Sequence, residues 1–203
     1  LHRGEFDAAV EHFERAIARL TGLNPNPRDG EPHYNLGLVQ RLRGDFRKAY
    51  DAFYKATWNA AWRGSAYFAL AEIDGMRGDW ERASDHLRRS LAAEADNLNA
   101  RNLLVVALDR LGRHEEAQAA HLALRALDPL DVGSRWRDGI RPASTQDQLD
   151  LAFDMLRAGR REDALRVLTC REGDNGSPSP MILFARAMVE AELAKSLRRP
   201  IKL

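Results

Sequence analysis

The chain has 203 residues, 44% hydrophobic, 30% charged and 7% aromatic, enough for one domain or an array of small units with a real core. Lysine and arginine number 31 against 30 acids, so there is no basic field for nucleic acid, and no apolar run approaches the roughly 18 residues a membrane helix needs. No signal-peptide pattern is visible, and the lone Cys170 has no disulfide partner, which points to a reducing, cytoplasmic setting.

Leu1 already stands inside a repeating pattern, so the chain reads as an excerpt from a longer protein. Residues 1–24 form a half-unit: Gly4, Phe6, Ala9, Phe13 and Ala16 fit a turn followed by one helix. An insertion around TGLNPNPRDGE follows. Residues 30–63 then predict an antiparallel pair of helices, A and B. Leu36, Gly37 and Gln40 lie on helix A, Gly44-Asp45 make the turn, and Phe46, Ala49, Phe53 and Ala56 face inward from helix B. Gly44 suits a helix C-terminus with positive φ, and Asp45 suits the next N-cap. Residues 64–97 repeat the pattern with Leu70, Ala71, Gly78, Asp79, Trp80, Ala83, Leu87 and Ser90. Residues 98–131 repeat it again with Leu104, Val105, Gly112, Ala117, His121 and Leu124, closing on Asp128-Pro129. Gly44, Gly78 and Gly112 are thus spaced by 34 residues, a helix–turn–helix period. The stretch DVGSRWRDGIRPAST reads as a loop over 132–145. A fourth unit, 146–172, carries Leu151, Ala152, Gly159, Ala164 and Leu168, and REGDNGSPSP reads as a further loop. One amphipathic helix over 180–198 closes the chain, like a helix A whose B partner is missing.

This pattern resembles the tetratricopeptide repeat family, best at Leu36-Gly37, Ala49, Phe53, Ala56 and Pro129, over about residues 1–171. The consensus tryptophan position holds His33, Tyr67, Arg101 and Gln148, and the tyrosine position holds Gln40, Asp74, Leu108 and Met155. The resemblance implies an all-α solenoid, a right-handed superhelix of antiparallel helix pairs whose A helices line a concave groove. By that register the groove carries Tyr34, Leu38 and Arg41, then Phe68 and Glu72, then Asn99, Asn102 and Val106, and finally Phe153. Tyr34 and Phe68 would anchor a partner segment, and Asn102 would bond its backbone. The carboxylate clamp of some family members is unmatched: its positions hold Tyr34, Leu38, Ala69, Asn99 and Leu103.

Trp58 and Trp62, four apart, are expected on one helical face, either sealing a junction between units, the favoured reading, or offering an exposed aromatic patch to a partner domain. Trp136 falls in the inserted loop, either folded onto the array or facing another domain. No chemistry-bearing constellation stands out. The six histidines form no HExxH, Cys170 has no CxxC partner, and the glycines punctuate turns rather than cradle phosphate. Asn175-Gly176-Ser177 formally matches a glycosylation acceptor, and Arg198, Arg199 and Lys202 make a small basic tail.

The expected function is therefore a non-catalytic protein–protein interaction scaffold without metal or cofactor. Its partner would be a protein or peptide, or another domain of the parent chain, and neither nucleic acid nor membrane. Parts of the chain, such as FYKATWNAAWRGSAYFALAEIDGMRGDW, are also similar to C-terminal repeat regions of large bacterial proteins with an upstream mutarotase-like β-sandwich. That resemblance implies an accessory region packed against a carbohydrate-active domain. Phe6 and Phe13 at one end, and Ile182, Phe184 and Met188 at the other, lack polar caps, so two copies are expected to pair through these ends.

Overall fold

The computed structural model describes residues 5–22, 29–170 and 178–197. Gly4, most of the TGLNPNPRDGE insertion, the Asn175-Gly176-Ser177 motif with most of its loop, and the basic tail lie outside these residues. Among the described residues the only regular structure is helix. The helices are α1 (Phe6–Thr21), α2 (Glu31–Leu42), α3 (Phe46–Ala56), α4 (Arg63–Arg77), α5 (Trp80–Ala93), α6 (Leu98–Arg110) and α7 (His114–Leu127). A short α8 (Val132–Arg137) follows, then α9 (Thr145–Arg157), α10 (Arg161–Thr169) and α11 (Pro180–Leu197). The fold is an all-α tetratricopeptide-like solenoid of antiparallel pairs, α2 with α3, α4 with α5, α6 with α7 and α9 with α10.

The turn chemistry explains the pairs. Gly44, Gly78, Gly112 and Gly159 take φ of 79°, 77°, 73° and 75° at successive A-helix ends, a left-handed conformation in which any other residue pays for its Cβ. In the first two pairs the next residue caps helix B: the Asp45 carboxylate accepts from Lys48 N at 3.1 Å and Asp79 from Arg82 N at 3.2 Å. Arg113 and Arg160 hold the same place before α7 and α10 and make no side-chain cap.

Small residues then bring the helices together. Phe53 is completely buried among Ala49, Ala69, Leu70 and Ile73. A Cβ on Gly37 would stand 2.6 Å from its ring, so glycine is what lets α2 close on α3. Truncating such a phenylalanine costs about 3–5 kcal/mol. The next core has Ala71, Ala83, Leu87, Ala100, Leu103 and Ala107, and includes Ala158 from the end of α9.

That last residue marks a departure from a uniform stack. Each earlier B helix packs on the next A helix, α1 on α2, α3 on α4 and α5 on α6, but α7 and α9 make no comparable contact. Instead α9 crosses back to α4, two units away. The turn after α9 lies against α4 so closely that a Cβ on Gly159 would meet Met76 Cα at 2.7 Å, and one on Gly75 would meet the Ala158 carbonyl at 3.2 Å.

The stretch 132–145 is not all loop, because it opens with α8. Asp131 accepts from Ser134 N at 2.7 Å and caps that helix, and Gly139, with φ of 82°, ends it. Gly133 within α8 is there for space: its Cβ would meet the Asn102 carboxamide at 2.6 Å. Trp58 and Trp62 share no helical face, since α3 ends at Ala56 and both lie in the turns before α4. Trp62 packs on Tyr34 with ring centroids 4.9 Å apart, while Trp58 is more than half exposed.

Candidate functional site

The fold-back of α9 leaves a cavity of about 600 Å3 lined by α4, α6, α8, α9 and α10. Helix α6 contributes Asn99, Asn102 and Val106, and α4 contributes Phe68 and Glu72. These are five of the nine residues expected along the groove. Tyr34, Leu38 and Arg41 do not line the cavity. Tyr34 and Leu38 pack on the Phe53 core, Tyr34 with a ring distance of 5.4 Å, and burial pushes the Tyr34 phenol pKa up. Phe153 is half exposed on α9 and does not line the cavity either.

Glu72 has a structural occupation that its sequence position does not reveal. Its carboxylate is 2% exposed, accepts from Arg41 on α2 and from Arg157 Nη2 on α9 at 3.4 Å, and lies 2.9 Å from Arg157 Nε. One buried acid thus ties together A helices from three units, and the Arg157 guanidinium lies over the Phe68 ring at 5.9 Å. Asn102 is likewise engaged: its Nδ2 donates to both carboxylate oxygens of Asp131, at 2.9 and 3.1 Å, so it pins the start of α8. Arg41, Glu72 and Asn102 were expected to meet a partner; here they make contacts within the chain.

Of the other residues that line the cavity, sequence reasoning assigned no role to the acids of α9 and α10. Trp136 of α8 lines it and packs against the core of α9, α10 and α11. Asp147, Asp150 and Asp154 enter from one face of α9, and the i, i+3, i+7 spacing of these acids was the available signal. The Asp154 pKa is raised, first by desolvation and then by the carboxylates of Glu72, Asp150 and Asp131, with Arg157 opposing. Asp163 of α10 holds Arg110 at 3.4 Å, Arg160 at 2.9 Å and Arg166. Asp109 holds Arg137.

Two histidine–carboxylate pairs lie elsewhere. His86 Nδ1 is 2.8 Å from Asp74 Oδ2, both buried, with Tyr67 stacked on the imidazole at 5.6 Å. His121 Nε2 is 2.8 Å from Asp138, whose other oxygen forms an ion pair with Arg125 at 3.0 Å, and this joins α7 to the end of α8. Among the described residues no group of three His, Cys, Asp or Glu side chains is placed to hold a metal ion. None of the described helices is long and apolar enough to cross a membrane.

Comparison with known proteins agrees with this geometry. Tetratricopeptide repeat family models match residues 76–137 and 148–168. The chain is similar to a crystal structure of MamA at 18% identity, with a TM-score of 0.55 and coverage of 96% of this chain and 94% of that one. It is similar to the MamA RS-1 ArsTM double mutant at 19% identity, with a TM-score of 0.54 and coverage of 98% and 90%. A further MamA crystal structure matches at 17% identity, with a TM-score of 0.53 and coverage of 100% and 91%. At such identities the likeness speaks for the fold. The period, the glycine turns and the matched segments together show tetratricopeptide repeats over residues 76–137 and 148–168 of this chain.

Proposed function

We propose that this chain is a non-catalytic scaffold that docks a segment of a partner polypeptide in the chamber between α6 and α9. The observation that carries the reading is the chamber itself: a recess of about 600 Å3 on the helix-A side, where Phe68, Val106 and Trp136 offer apolar surface among polar groups. That size lies within the range of specific ligand sites. The partner is either a separate protein or another domain of the parent chain. The near balance of charge argues against nucleic acid, and the single cysteine fits a cytoplasmic setting.

The test is a photo-crosslinking residue placed at Val106, with a control at exposed Arg89. Polypeptide adducts from position 106 and none from position 89 are expected. Adducts of equal yield from both positions, or from 89 alone, would rule the chamber out.

A second surface is part of the proposal. On α11, Ile182, Ala185 and Val189 are buried, while Met181, Phe184 and Met188 stay mostly exposed at helical spacing. This stripe supports pairing with another copy or domain. Sedimentation showing a strict monomer at high concentration, unchanged by Phe184→Glu, would remove it.

A further inference from the structure

We propose that a second pocket, between α1, α2 and α3, binds a neutral planar heteroaromatic ring that carries an N–H and is the size of imidazole to indole.

The pocket follows from what three positions hold. His33 and Gln40 lie on one face of α2, two turns apart, where the tetratricopeptide consensus has tryptophan and tyrosine. Ala52 faces them from α3. An imidazole and a carboxamide fill less space than those aromatic rings. About 350 Å3 stays open, lined also by Ile17 of α1 and Leu36 of α2.

The next unit shows what such a space takes. One 34-residue period later the same three positions hold Tyr67, Asp74 and His86. His86 Nδ1 stands 2.8 Å from Asp74 Oδ2, and its ring stacks on Tyr67 with centroids 5.6 Å apart and planes inclined by 26°. There a ring from helix B fills the gap, held by one polar contact and one stacked face. In the first unit Ala52 supplies only a methyl group in its place.

Gln40 points to a ligand independently. Its side chain is buried, at 3% exposure, and lines the pocket. Its Oε1 has no hydrogen-bond partner among the described residues. A buried acceptor left unpaired is costly, and an N–H brought by a ligand satisfies it. His33 is buried beside it, and burial first and Lys55 second lower its pKa. The imidazole is therefore neutral at pH 7 and offers its face to a ring, as Tyr67 does to His86. Exposed Glu14, Lys48, Asp51 and Lys55 line the mouth. Their charges cancel, which favours an uncharged ligand. The volume is at the small end for a ligand site and suits one ring or a fused pair.

The experiment titrates the full chain with indole and with indene, which has the same shape and no N–H, following backbone amide chemical shifts by NMR. N-acetyltryptophanamide is titrated alike. Binding as tight as that of indole assigns a polypeptide side chain as the source of the ring, and no binding assigns a free small molecule. Two variants accompany the titrations. Gln40→Leu removes the acceptor at similar volume, and Ala52→His supplies the imidazole that the second unit has. Indole is expected to shift amides of α2 and α3, and to bind about tenfold more tightly than indene. That advantage should vanish in Gln40→Leu, and Ala52→His should exclude indole. Gln40→Leu should not lower Tm, because it breaks no bond of the Oε1 acceptor. No shift in α2 and α3, indene binding as tightly as indole, or indole binding undiminished in both variants would overturn the inference.

Discussion

Glu72→Ala tests how the array is held in its folded-back form. The carboxylate is 2% exposed and bridges Arg41, whose side chain is 18% exposed, and Arg157, which is 44% exposed. Removing one partner of a buried ion pair costs about 3–5 kcal/mol, because the remaining charge stays desolvated. Arg157 regains water when released and Arg41 keeps some, so the low end, about 3 kcal/mol, is expected. For a chain of this size that lowers Tm by roughly 6–12 °C, measurable by far-UV circular dichroism. Arg157→Ala alone should cost about 1 kcal/mol, since the exposed partner contributes less. In the Glu72→Ala background it should cost almost nothing, because the two side chains act through one contact. A Tm loss below roughly 2 °C for Glu72→Ala, or full additivity of the pair, would refute the reasoning.

Gly37→Ala places a methyl group 2.6 Å from the Phe53 ring and should destabilise by about 1–3 kcal/mol in urea titration; a neutral result would mean that α2 and α3 are less tightly apposed. His33 has a pKa below its ordinary 6.5, first through burial and then through Lys55. The unfolded chain therefore takes up the proton first as pH falls through about 6.5, and stability is lost there, levelling off below the folded pKa. His33→Gln should remove that part of the fall between roughly pH 7.5 and 5.5, and identical pH profiles would discount it. Asp154 is shifted the other way, so its charge opposes folding once pH exceeds the ordinary carboxylate range. Asp154→Asn should raise the neutral-pH denaturation midpoint, and an unchanged or lower midpoint would contradict that.

Much of the fold is legible in the sequence because repeats announce themselves locally. The glycine turns need positive φ, Asp45 and Asp79 sit one residue later to cap, and Gly37 and Ala49 alternate with Phe53 to close each pair. Those requirements are satisfied within a few residues, so spacing alone exposes them. The site was less legible. The groove residues follow from register on the assumption of a uniform stack, and that assumption fails after α7, where α9 turns back to α4. Nothing near Arg157 in the chain announces Glu72, which lies 85 residues away. Gly133 and Ser134 read as loop residues because glycine usually marks flexibility; here it serves close approach to Asn102 inside a short helix. The acids of α9 show helical spacing, but their direction depends on the same fold-back.

That fold-back is the premise on which the chamber rests, and one distance measurement addresses it. Spin labels at Arg77 and Arg161, in a Cys170→Ser background, report on the ends of α4 and α10 flanking the Met76–Gly159 contact. The account predicts a single short separation. A uniform stack would interpose the third unit and push the labels roughly 20 Å farther apart, at about 10 Å per helix layer. A dominant population at that longer separation would contradict the account.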